Sequence, residues 1–394
     1  MATASALSAQ PSPKKVKIAR IETIPLAYPT VGRFKFFEDA QGRPVGRQSV
    51  LVKITGDDGS VGHGQSVPTN RWSYETLETV VTTIDQYLAP VLIGLDVFDG
   101  SAIQAAMDKI IAPGFSTGQP ICKAGIDLAL FDLTGRLLNQ TAAQRWGRKG
   151  RDRITLSWTL NPVKLDDVAG LIDAGRQRGF RNFNIKVAPD AKFDVELCRL
   201  VRKLAPDTFL WADANGGYDE ATALQVIPKL KEAGCDVLEQ PLKPYCISGY
   251  QKIRKLGAGL PILMDEGIID SALLAEYIQL GMLDGVAMKP ARCGGLTEAR
   301  RQIELLEKHS LRFLGSGLTD PDLSLAASLL LYGAYDLKYP AALNGPQFLG
   351  ASVLKTPFEV KDGTLAVPAG PGLGVEIDPE KVERLRTFPH RQAQ

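Results

Sequence analysis

Five side chains able to do chemistry recur through the middle of the chain at near-constant intervals: Lys186, Asp213, Glu239, Asp265 and Lys289, spaced 24 to 27 residues apart. Each sits at the end of a short apolar run (NFNIKV, FLWADAN, DVLEQPL, PILMDEG, DGVAMKP). One strand-plus-helix unit fills each interval, so all five fall on the C-terminal rim of a parallel barrel, where barrel enzymes gather their catalytic groups. Three carboxylates from neighbouring strands cannot be held together without a cation. Oxygen donors with no His or Cys beside them select a hard ion, Mg²⁺ or alternatively Mn²⁺. Strands two and six of an eight-stranded barrel stand opposite one another, so Lys186 and Lys289 face each other across its mouth. Beside a metal each ammonium has a lowered pKa and becomes a proton acceptor near neutrality. A small carboxylate substrate between them can lose its α-proton to one lysine and regain one from the other, with the metal stabilising the enediolate. Taken singly, the acids read equally well as helix caps or ion-pair partners and the lysines as solvated strand ends. Capping does not require successive strands, and that register favours the catalytic reading.

The surrounding sequence supplies the elements that must position these groups. From Val16 to about Gly64 the runs KIARIETIPLAY and QSVLVKITGDDGSVGHG are strand-like, with a hairpin turn at Asp57-Asp58-Gly59. Between them Pro29–Arg47 is a long loop carrying Phe34, Phe36 and Phe37. Helical periodicity runs from about Tyr74 to Gly147, giving an α+β unit. After Arg151, seven β-branched runs alternate with amphipathic helices, and the apolar helix LSLAASLLLYGAY follows the seventh. That alternation implies parallel strands and right-handed crossovers. GSGLTD carries Asp320 where a dinucleotide fingerprint needs its last glycine, which favours a closed barrel over an open nucleotide-binding sheet. The expected division is a disordered tail over 1–15, an α+β N-terminal domain over 16–150, a barrel over 151–345, and a C-terminal segment over 346–394 that returns to the N-terminal domain.

Composition narrows the function classes. The 394 residues carry 46 Lys+Arg against 44 Asp+Glu, a net charge of +2, which leaves no electrostatic footprint for nucleic acid or anionic membrane. No apolar run approaches a membrane span. Three histidines (His63, His309, His390) argue against a His-rich zinc site. Five cysteines, with no CxxC, fit reduced thiols in a cytoplasmic protein. The first 13 residues are uncharged and precede the basic Lys14-Lys15-x-Lys17, the reverse of a secretory signal.

The motifs FNIKV, WADANGGY, LEQPL, MDEG and KPARCGGLTEA together resemble the enolase superfamily, in particular its muconate-lactonizing-enzyme (mandelate racemase/muconate lactonizing enzyme) subgroup, over nearly the whole chain after residue 15. The resemblance implies an α+β capping domain plus a modified TIM (β/α)7β-type barrel. It also implies Asp213, Glu239 and Asp265 as metal ligands, Lys186 as the second lysine of a KxK motif, Lys289 as its opposite number, and a homo-oligomeric assembly. Asn215 and Glu266 match positions near the metal and beside the sixth-strand lysine. By the same likeness the loop with Phe34, Phe36 and Phe37 closes over the barrel mouth; the alternative is an apolar anchor without substrate contact.

Two departures stand out. The first KxK lysine is Asn184, so a charge that usually tunes Lys186 is absent. Beyond strand seven, where cycloisomerases tend to carry Glu, LTDPDL places Asp320. The acidic pair of dipeptide epimerases is replaced by Ala342-Leu343-Asn344, and no His lies on strands six and seven, which argues against mandelate-racemase-type chemistry. Arg292, in the loop after Lys289, reads as an anion-pocket residue or as a turn residue; Trp72 has no assignable role. The expected activity is a metal-dependent isomerase, a racemase/epimerase or a cycloisomerase, with racemisation favoured because both lysines are kept. A hydroxy-acid dehydratase and a non-catalytic binding barrel are the alternatives.

Overall fold

The computed structural model describes residues 15–387 apart from 33, 39–40 and 115–116. All but the last residue of the expected disordered tail therefore lies outside the described residues.

Strands β1 (Ile18–Tyr28), β2 (Arg47–Gly56) and β3 (Val61–Ser66) form an antiparallel sheet in that order. The β2–β3 connection is the expected hairpin, with Gly59 at φ +84°. Helix Pro120–Leu138 lies directly on β3. Its approach depends on glycine: a Cβ on Gly64 would stand 2.1 Å from the Gly125 carbonyl oxygen. Val50, Val52 and Ile54 from the sheet pack with Leu77, Val80, Ile84, Ile126 and Leu133 from the helices to form this unit's core.

Short β4 (Arg153–Thr155) precedes the barrel. The barrel strands are β5 (Ser157–Leu160), β6 (Asn182–Lys186), β7 (Leu210–Asp213), β8 (Val237–Glu239), β9 (Ile262–Met264), β10 (Gly285–Met288) and β11 (Arg312–Gly315). They are parallel, with sequential neighbours paired throughout. Two residues close the ring. Ala341 N–H donates to Thr155 O and Ser157 N–H to Ala341 O, both at 2.8 Å, while Ala342 N–H donates to Gly315 O at 2.8 Å. The eighth strand is thus reduced to Ala341-Ala342, the modified (β/α)7β-type barrel expected. The run RITLSW does not form one strand: β4 pairs antiparallel with β12 (Thr364–Ala366), and the chain joins the ring from the Thr155 carbonyl through Leu156, which bridges Ala341, into β5. Farther on, helix Pro379–Leu385 leads back to β1, where Thr387 N–H donates to Pro25 O at 3.0 Å. No described helix is long and apolar enough to cross a membrane, and all five cysteines are free.

Candidate active site

Trp211, Val237, Leu263, Ala287, Leu314 and Ala342 form an apolar plug inside the barrel. Side chains alternate faces along a strand, so the residue two positions on from each plug member also points inward, one layer nearer the C-terminal mouth. Those residues are Asp213, Glu239, Asp265, Lys289, Ser316 and Asn344. In the adjoining strand Asn184 is registered with Trp211, which puts Lys186 level with Asp213. The five expected groups are therefore brought into one layer, capping a dry plug. Ser316 and Asn344 complete the ring; the sequence reading did not single them out as site residues, although the same two-residue step would have found them.

The charged groups engage one another directly. Lys186 Nζ contacts Asp213 Oδ2, and Lys289 Nζ and Arg292 Nη1 contact the two oxygens of Asp265. Lys289 Nζ also lies 3.4 Å from Glu239 Oε1, and Lys186 Nζ lies 3.4 Å from Asn215 Oδ1. Burial pushes the Glu239 carboxyl well above its usual range, and the Asp213 charge pushes it further. Burial alone would raise Asp265 too, but Lys289 and Arg292 outweigh it and hold this carboxyl low. The protein's own groups move both lysines opposite to the expected direction. Burial lowers each, but Asp213 and Glu239 overcome this for Lys186, and Asp265 and Glu239 for Lys289, so both end raised. The expectation of lowering counted the charge of a metal, whereas the local carboxylates act in the other sense.

Among the described residues no group of three or more His, Cys, Asp or Glu side chains is gathered within ligating reach of one point, because the carboxylates turn onto Lys186, Lys289 and Arg292. The donor chemistry nonetheless fits a hard divalent ion. Asp213, Glu239 and Asp265 are buried, come from adjacent strands, share one face and supply only oxygen.

Further groups line the site. Glu266 Oε1 accepts from Trp72 Nε1 at 2.9 Å and from Asn215 Nδ2 at 3.1 Å; burial, then Asp265 and Asp213, push its carboxyl up to about 7. Trp72 reaches in from the loop after β3 and places its ring 5.3 Å from Lys289 Nζ, within cation–π range. No spacing in the sequence marks this residue. Asn184, 3% exposed, accepts from Ser157 Oγ at 3.0 Å and Thr159 Oγ1 at 3.2 Å.

A small pocket opens above the layer, lined by Lys186, Asp213, Asn215, Glu239 and Lys289 below and by Phe34, Phe36, Phe37, Thr69, Trp72 and Leu318 around its mouth. The phenylalanines both line the pocket and anchor their loop, since Phe34 stacks on Phe348 at 4.6 Å. Asp265, Glu266 and Asp320 do not line it. The Asp320 carboxylate accepts from Leu318 N–H at 3.3 Å and Ser324 Oγ at 2.9 Å, bracing the loop after β11 from behind. Arg292 is the turn residue of the two readings, its N–H donating to Lys289 O at 3.0 Å, and not an anion-pocket residue. It is buried, and besides Asp265 it donates to Ala287 O at 2.8 Å, so its charge is spent inside the barrel wall. His309 follows helix Leu296–Lys308, away from the site.

Residues 132–382 match the family described as "Enolase C-terminal domain-like", and residues 40–147 match "Mandelate racemase / muconate lactonizing enzyme, N-terminal domain". A chloromuconate cycloisomerase of Cupriavidus necator is 32% identical over 341 residues, which is 84% of this chain and 90% of that protein. A muconate cycloisomerase of Acinetobacter lwoffii is 28% identical over 94% of this chain and 96% of its own length. Among solved structures, the muconate lactonizing enzyme of Pseudomonas fluorescens complexed with muconolactone superimposes with a TM-score of 0.86 at 26% identity, covering 94% of this chain and all of the other. The 2-chloromuconate cycloisomerase of Rhodococcus opacus gives 0.83 at 27%, over 94% and 99%. Two matched domains and this ring of acids and lysines on the barrel rim place the chain in the enolase superfamily, in its muconate-lactonizing-enzyme subgroup.

Proposed function

We propose that this protein is a divalent-metal-dependent cycloisomerase that interconverts an unsaturated dicarboxylate of the muconate class and its lactone. The observation that carries the chemistry is the single layer formed by Lys186, Asp213, Glu239, Asp265 and Lys289 over the barrel plug. The relatives' names move the preference from racemisation, which the paired lysines favoured, to cycloisomerisation. Asp213, Glu239 and Asp265 would hold the ion, with Mg²⁺ the first choice and Mn²⁺ the second; when bound, it supplies Lewis-acid stabilisation of the substrate carboxylate.

The chain's own groups then divide the work. In the cyclising direction one carboxylate oxygen of the substrate bonds to a diene carbon, and the displaced electron pair moves into the other carboxylate as an enediolate. Lys186 gives its Nζ proton to the carbon α to that carboxylate, and takes it back in the reverse direction. Lys186, which lines the pocket, is assigned this part because a single carboxylate pairs with it, whereas Asp265 and Glu239 both hold Lys289. Lys289, held by Asp265 and Glu239 and flanked by Trp72, stays an ammonium and stabilises the charge developing on the substrate oxygens. The phenylalanines, Trp72 and Leu318 exclude water from the enediolate.

A cytoplasmic setting, supported by the five free thiols, and a homo-oligomeric assembly complete the reading. The direct test is loss of diene absorbance from cis,cis-muconate and 2-chloromuconate with Mg²⁺ or Mn²⁺ present. Metal-dependent lactone formation is expected; no turnover of either diene with either metal overturns the reading.

A further inference from the structure

The pocket wall after β11 stands in a conformation its own residues do not favour. Thr319 has φ +54° and Asp322 φ +25°, left-handed values that are sparsely populated for residues bearing a Cβ, above all a β-branched one. Such backbone persists only where its surroundings over-determine it. Helix Asp322–Ala334, which follows the wall, begins at Pro321 with no side-chain cap of its own. Its first N–H groups are met from the other domain. Gln65 Oε1, from β3, accepts from Leu323 N–H at 3.1 Å and Ser324 N–H at 3.4 Å.

Gln65 is itself locked. Its Nε2 donates to Tyr28 Oη at 3.1 Å and Ser49 Oγ at 3.0 Å, and Tyr28 Oη donates to Asp322 Oδ2 at 2.8 Å. Asp322 Oδ2 also accepts from Val353 N–H at 2.8 Å, in the C-terminal segment. Gln65, Ser49, Tyr28 and Asp322 are all buried, so each lost bond strands a polar group out of reach of water. Gly317, Leu318 and Thr319 line the pocket; Gln65 does not.

We propose that Gln65 is a positioning residue for the active site: by capping this helix across the domain boundary it holds the strained wall Gly317–Thr319 against the substrate. This rests on the pocket being the catalytic one. Capping-domain docking and substrate-wall geometry are then one linked property, and the residue linking them touches no substrate.

The test compares wild type with Gln65→Met, which keeps length and volume but removes both sets of bonds, and Gln65→Glu, which keeps an acceptor for the two N–H groups. Readouts are kcat and KM for cis,cis-muconate with Mg²⁺ and amide hydrogen exchange over 316–324. Gln65→Met is expected to raise KM about tenfold while kcat falls no more than about threefold, and to speed exchange at Leu323 and Ser324 about tenfold, the scale of a lost helix cap. Gln65→Glu should return both to within about threefold of wild type. Unchanged KM and loop exchange in Gln65→Met, or faster exchange spread evenly over the chain with KM unchanged, overturns the proposal. Should wild type turn over neither cis,cis-muconate nor 2-chloromuconate, the functional reading fails, and the exchange comparison alone decides: acceleration confined to 316–324 supports the clamp and its absence refutes it. If Gln65→Met does not fold, Tyr28→Phe, which strips the hydroxyl given to Asp322, is judged by the same measurements.

Discussion

Replacing each lysine by Met separates the proton carrier from the fixed cation. Lys289 Nζ lies 3.4 Å from Glu239 Oε1, which at an effective dielectric near 20 corresponds to ~5 kcal/mol of attraction. Met keeps roughly the volume and deletes that term. Glu239 already has its carboxyl pushed up by burial and Asp213, so it takes up a proton rather than stand buried and unpaired. Asp265 keeps Arg292. Only part of the attraction then appears as lost stability, ~3 kcal/mol, at the low end for breaking a buried pair. The kinetic effect has another source. Removing the group that moves the proton costs ~10²–10⁴ in rate, about 3–5 kcal/mol of barrier. The assay is deuterium incorporation at the carbon α to the carboxylate of muconolactone, followed by NMR in D₂O with Mg²⁺. Lys186→Met should abolish exchange, whereas Lys289→Met should keep stereospecific exchange at a reduced rate. Mirror-image exchange by the two variants on a chiral carboxylate would instead establish a two-base racemase. Exchange at wild-type rate in both variants refutes any role for the lysines as bases.

Two further outcomes follow from the buried acids. Glu239→Gln should leave the fold intact but remove most of the Mg²⁺-induced rise in melting temperature, which for a site at a hundredfold excess over Kd amounts to ~2.7 kcal/mol; unfolding with metal binding preserved would show that Glu239 is structural. Glu75, buried where its carboxylate accepts from Ile121 and Cys122 N–H, is raised by burial from 4.5 to about 7, against the pull of those bonds and of Lys123. A carboxyl raised in the folded state holds its proton there after the unfolded chain has released it. Stability therefore falls as pH rises from about 4.5 to about 7, by up to ~3 kcal/mol. Urea denaturation at pH 5 and pH 8 should show this decline shrinking in Glu75→Gln; an identical decline would locate the titration elsewhere.

The sequence was most informative where the chemistry follows the chain's own period. One strand–helix unit recurs at a near-constant length, so Lys186, Asp213, Glu239, Asp265 and Lys289 were readable as one rim, and strand alternation set the last four two residues beyond an apolar plug residue, with Lys186 level with Asp213. The hairpin at Gly59 and the apolar helix Asp322–Ala334 were legible for the same reason, since turn chemistry and helical period are local. What the sequence could not show are partners brought together only by the closed ring and the docked domain. Ala341-Ala342 is too short to carry a strand pattern and is recognisable only because Thr155, Ser157 and Gly315 supply its hydrogen bonds. Arg292 is the turn residue its loop position suggests, but only the closed barrel aims its guanidinium at Asp265, 27 positions earlier. Trp72 meets Glu266 across 194 residues, and Gln65 meets Leu323 across 258. Such bonds leave no periodicity in the chain, because the hydrophobic burial that drives the two domains together is non-directional. Only the packed structure decides which buried donor finds which acceptor.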